Sequence, residues 1–74
     1  MTPGAHDERA RLAFVLASAR RDAGLTQAQA AAELGVDVTT LGRWERGQTA
    51  PDVWEMKQLG RIYRVNLWEA WEPT

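Results

Sequence analysis

The sequence predicts an all-α fold, a compact five-helix bundle that contains a helix-turn-helix. Three observations lead there. Capping residues and Gly stops divide the chain into five short segments. No segment alternates with a period of two and β-branched enrichment, so no strand is expected. The second and third segments are joined only by Gly35 and Val36. That connection is too short for an antiparallel hairpin and suits two helices meeting at a steep angle.

Residues 1–6 read as a disordered arm, which leaves 7–74 as a single domain. The first helix is expected from about Asp7 to Ala23. Leu12, Leu16, Ala19 and Ala23 recur at four- and three-residue steps and share one face. Asp7 and Glu8 open this helix, Arg20 and Arg21 fall in its last turn, and Gly24 is a left-handed C-cap. Thr26 caps the second helix and forms a capping box with Gln29; Leu34 ends it and Gly35 stops it. Asp37 caps the third, with Val36 stapling against Leu41, and Gly47 ends it. Asp52 and Glu55 box the start of a fourth that runs to about Arg64. Asn66 caps a fifth, from Leu67 to Trp71 or Glu72, with Glu69 at the matching third position.

Composition narrows the function. At 74 residues the chain holds one small core. With no Cys there is no disulfide framework, no thiolate nucleophile and no thiolate metal site. A lone His6 does not build a zinc site. No apolar run approaches the ~20 residues of a membrane span, and the acidic start does not resemble a signal peptide. A cytoplasmic protein with no membrane partner is expected. There is no paired nucleophile and base, no Gly-rich phosphate loop and no metal cluster, so neither an enzyme nor a cofactor is expected. Nine Lys+Arg stand against ten Asp+Glu, for a net charge of -1. A nucleic-acid binder is usually basic overall, so binding of that kind has to rest on local clustering.

The third helix carries such a cluster. Wound at ~100° per residue, Val38, Thr39, Gly42, Arg43 and Arg46 fall within roughly 140°. Thr40, Leu41, Trp44 and Glu45 take the other side. Slim residues at the start of one face, with cations toward its end, suit a helix that enters a major groove; an ordinary solvated face has the same pattern. Glu45 lies on the apolar side with Leu41 and Trp44, where an unpaired carboxylate is costly to bury. Arg20 is its expected partner.

These residues resemble a known family. Gly24-Leu25-Thr26-Gln27, Ala31, Leu34-Gly35-Val36, Thr40-Leu41, Trp44-Glu45-Arg46-Gly47 and Pro51-Asp52 are similar to the helix-turn-helix domain of the phage lambda repressor/Cro (XRE) family. The resemblance spans roughly 10–71. It implies that Gln27, with the N–H groups of the second helix, grips a DNA phosphate, as helix-terminus electrostatics also favours. It places Val38, Thr39 and Arg43 against bases, and Arg46 and Thr40 near the phosphate backbone. Gln48-Thr49-Ala50 would lie along that backbone. Arg20 and Glu45 match the family's buried ion pair. Several positions depart from the pattern. Ala30 and Ala70 stand where large apolar residues are usual, and Trp44 or Trp71 is expected to refill the volume. Gly42 replaces the usual Ser, at a cost of ~1 kcal/mol in helix propensity relative to Ala. Glu33 and Asp37 put negative charge near the DNA face, which implies modest affinity.

Four Trp in so short a chain raise the question of a partner. Trp44 belongs to the core; Trp54, Trp68 and Trp71 either fill a core thinned by Ala or anchor an interface, with a place beside the DNA backbone as the other option for Trp54. A dimer contact through Leu67, Trp68 and Trp71 is expected. The leading function is a sequence-specific regulator of transcription, a phage or bacterial repressor of Cro-like type. It would bind a palindromic double-stranded operator as a homodimer, in a bacterial cell or a phage-infected host. The alternatives are an antitoxin that binds its own promoter and a toxin, or a protein-interaction module that kept the fold and lost DNA binding.

Overall fold

This computed structural model describes the backbone of residues 5–71 and the side chains of residues 8–70. Five helices follow in order: α1 Ala5–Asp22, α2 Gln27–Leu34, α3 Val38–Glu45, α4 Val53–Tyr63 and α5 Leu67–Trp71. No strand occurs among the described residues. The first helix starts two residues before the expected Asp7; the rest of the expected arm, residues 1–4, lies outside the described residues.

Local chemistry accounts for most of the boundaries. Thr26 Oγ1 accepts from the Gln29 N–H at 3.1 Å while Gln29 Oε1 accepts from the Thr26 N–H at 2.8 Å, closing the box that starts α2. Asp52 and Glu55 do the same for α4. Asp37 Oδ1 accepts from the Thr39 N–H at the head of α3, and Asn66 Oδ1 from the Glu69 N–H at the head of α5. Gly35 ends α2 with φ 83, a left-handed conformation that turns the chain at once into α3.

The end of α4 is less readable. Its cap is Arg64 with φ 58, a non-Gly residue in the left-handed region. Gly60 makes the corner feasible. A Cβ on Gly60 would lie 3.1 Å from the Val65 carbonyl oxygen. With only hydrogen there, the Gly60 carbonyl accepts from both the Arg64 and the Val65 N–H groups.

One core joins all five helices. Leu12 and Leu16 of α1, Ala30 and Ala31 of α2, Leu41 and Trp44 of α3, Met56, Leu59 and Tyr63 of α4, and Leu67 of α5 are buried together. The two Ala of α2 leave room that a bulky side chain must fill, and the Trp44 indole is buried in the same cluster. Ala70 differs: it is exposed, so its small side chain removes nothing from the core and instead helps line a surface groove beside Phe14 and Val15. No described helix is long and apolar enough to cross a membrane.

Candidate nucleic-acid interface

The helix α3 presents two unlike sides. Leu41 and Trp44 face inward. Between the core and the head of α2 lies Glu45, whose carboxylate accepts three hydrogen bonds. Arg20 Nε donates to Oε2 at 2.8 Å and Arg20 Nη2 to Oε1 at 3.0 Å, a bidentate pair. Gln27 Nε2 adds a third, to Oε1 at 2.9 Å. Arg20 Nη1 then donates to the Leu25 carbonyl at 2.8 Å, which ties in the α1–α2 turn. The side chains of Arg20 and Glu45 are 12% and 5% exposed. The carboxylate raises the Arg20 guanidinium above its ordinary pKa. Tyr63 sits near this cluster. Burial and the Glu45 charge push its phenol up to about 12.

This geometry gives Gln27 an occupation that its position at the head of α2 did not suggest. Its amide nitrogen holds Glu45, so Gln27 couples α2 to α3. No local pattern signals this, because the two residues are 18 apart in the chain.

The outward side is different. Val38, Thr39, Arg43 and Arg46 are exposed, and Thr40 is half-buried at the edge. Gly42 is corrected from the helical-wheel expectation: it is buried. The Arg46 side chain folds back toward the N-terminal end of its helix, as helical side chains do. Arg46 Nη1 lies 3.1 Å from where a Gly42 Cβ would stand. The missing side chain at 42 is thus the bed on which the Arg46 guanidinium rests. At the head of the helix the Thr39 N–H holds Asp37 below the usual carboxylate range, with the Thr39 hydroxyl and the Arg43 charge adding to the effect.

The turn after α3 continues this surface. The Gln48 and Thr49 N–H groups both point at the Arg43 carbonyl, at 3.0 and 3.5 Å, and both side chains are exposed. Arg9 of α1 reaches the same turn, its Nη1 donating to the Gln48 carbonyl at 3.5 Å. Sequence reading missed Arg9, since 39 residues separate the two.

The expected dimer residues separate. Leu67 is 1% exposed and packs in the core. It offers no surface to a second copy, because its side chain anchors this five-residue helix in the core. Trp68 is 43% exposed. The side chain of Trp71 lies outside the described residues. Among the described residues no group of His, Asp and Glu could hold a metal ion.

Comparison with known proteins agrees with this geometry at the level of the domain. A family model described as a helix-turn-helix domain matches residues 11–69, well over half of the chain. No curated protein and no solved structure matches the sequence.

Proposed function

Because the chain belongs to the helix-turn-helix domain family, we propose that it is a sequence-specific, double-stranded-DNA-binding regulator of transcription rather than an enzyme. One observation carries this reading: α3 is locked to the body by Glu45 on one side and leaves a slim flank with two Arg open on the other. Helices of this type enter the major groove and contact base edges.

In that arrangement Arg43 reaches a guanine edge through paired donors, and Val38 and Thr39 approach bases closely, Val38 against a thymine methyl. Arg46, Gln48 and Thr49 follow a phosphate strand, with Thr40 and the head of α2 beside the other. Gln27 contributes by holding Glu45 as well as by its nearness to that phosphate. The protein acts as a Cro-like repressor in a bacterial cell or an infected host, blocking polymerase at an overlapping operator. A homodimer on a palindromic operator would use the exposed face of α5 around Trp68.

Selection of bound duplexes from a random pool tests this reading. Enrichment of a palindrome with half-sites about one helical turn apart is expected. A pool that stays random after repeated rounds overturns the proposal. Exposed Val53 and Trp54, side by side at the start of α4, favour a protein partner as a second reading, as in an antitoxin or an interaction module. A partner captured by the wild type and lost on Trp54→Ser, with duplex affinity unchanged, would support it.

A further inference from the structure

We infer that Arg9 is a phosphate-binding residue of the same interface, contributed by α1 rather than by the helix-turn-helix pair α2 and α3. This rests on the DNA-binding reading above and adds a contact that the helix-turn-helix unit itself does not contain.

Two observations carry it. First, α1 and the turn after α3 meet backbone to backbone. Gly47 has φ +75, and a Cβ built on it would stand 3.7 Å from the Ala10 Cα and the Arg9 carbonyl oxygen. The approach fixes where the Arg9 side chain emerges. Second, Arg9 Nη1 donates to the Gln48 carbonyl, and the Gln48 N–H donates to the Arg43 carbonyl. The guanidinium is therefore aimed, through one residue, at the C-terminal end of α3. Arg43 and Arg46 occupy that same end.

The contact is long, at 3.5 Å, and exposed. A guanidinium has five N–H donors, and Nη1 is the one engaged among the described residues. The others can take a phosphate oxygen while the carbonyl holds the orientation. A strand that passes the exposed Gln48 and Thr49 side chains passes Arg9 as well. This clustering also answers the charge problem posed by a chain of net charge -1: cations from residues far apart in sequence converge at one end of one helix.

The test uses the whole chain, with the duplex recovered by selection and a mixed-sequence duplex of equal length. Affinity is measured between about 50 and 200 mM potassium chloride, where each neutralised phosphate adds about 0.9 to the salt slope. Arg9→Ala should weaken both duplexes alike and flatten the slope by about 0.9. The wild-type advantage then shrinks about eightfold per tenfold rise in salt. Arg9→Lys should keep the slope, because it keeps the charge. Arg61→Ala should leave it unchanged: Arg61 lines a groove with Asp22, about 20 Å along α1 from Arg9. An unchanged slope in Arg9→Ala, with a wild type that binds, overturns the assignment and leaves the DNA reading intact. A wild type with no salt-dependent affinity for either duplex overturns both. Should Arg9→Ala fail to fold, Arg9→Gln keeps a donor for the Gln48 carbonyl, drops the charge and carries the same comparison.

Discussion

The two sides of α3 use similar residue types for opposite ends. Inward, Arg20, Gln27 and Glu45 satisfy one another completely enough to hold three helices in place. Outward, Arg43 and Arg46 are exposed, and among the described residues neither forms a salt bridge. The same guanidinium group is therefore a clamp at position 20 and, on the proposed reading, a probe at positions 43 and 46. Burial and a matched carboxylate separate the two uses. A largely buried carboxylate with three donors around it serves the fold, while the exposed cations leave their donors open to water.

The largest expected effect falls on the inward side. Glu45→Ala leaves Arg20 part-buried without its carboxylate and should cost about 3–5 kcal/mol in urea unfolding. A loss in the range of about 0–1 kcal/mol, typical of exposed pairs, would erase the contrast. Alkali attacks the same region through Tyr63. Its phenol is neutral in the folded state and pushed up from 10.0 to about 12. Stability from this group is whole below the unfolded value near pH 10 and falls as pH rises through 12. The loss is about 3 kcal/mol at about 1.4 kcal/mol per unit. Tyr63→Phe should remove that alkaline limb from a pH series of melting curves.

Outward, Arg43→Ala should change stability by less than about 0.5 kcal/mol, yet shift base preference at one operator position by about 1–3 kcal/mol. Comparing melting with binding to single-base operator variants separates the two effects. A variant that melts early and keeps its preference would reverse the assignment of sides. The smallest effect concerns Asp37, fully exposed at the head of α3 and held below the ordinary carboxylate range. Its contribution is present above that range and fades as pH falls through the lowered value. Asp37→Asn keeps the cap and should remove the acid dependence that Asp37 gives to the Thr39 amide signal.

Legibility in the sequence followed the reach of each interaction. The boxes at Thr26–Gln29 and Asp52–Glu55 close within four residues, so a tetrapeptide states them. Periodicity likewise separated Leu41 and Trp44 from Val38 and Arg43. Arg20 and Glu45 were legible because a carboxylate among apolar neighbours demands a cation. What escaped depends on where distant pieces meet. The resemblance sets Gln27 against a phosphate, and only the packing of α2 on α3 brings it to Glu45. Gly42 lies outward on any helical wheel, and the folded-back Arg46 side chain packs beside it. Leu67 read as a partner contact because a five-residue helix shows too little pattern to reveal its inner face. Arg64 as a left-handed cap has no local signal; it follows from the room beside Gly60.

The carboxylate of Glu45 draws on stretches of chain 18 and 25 residues away. An eight-residue helix is too short to persist alone in water, so α3 has no independent existence to fall back on. Its amides should therefore exchange with solvent deuterium only when the whole molecule opens, not through a local excursion. If α3 reads a duplex as proposed, that competence appears in a single cooperative step, and any condition that loosens the body switches the helix off together with everything else.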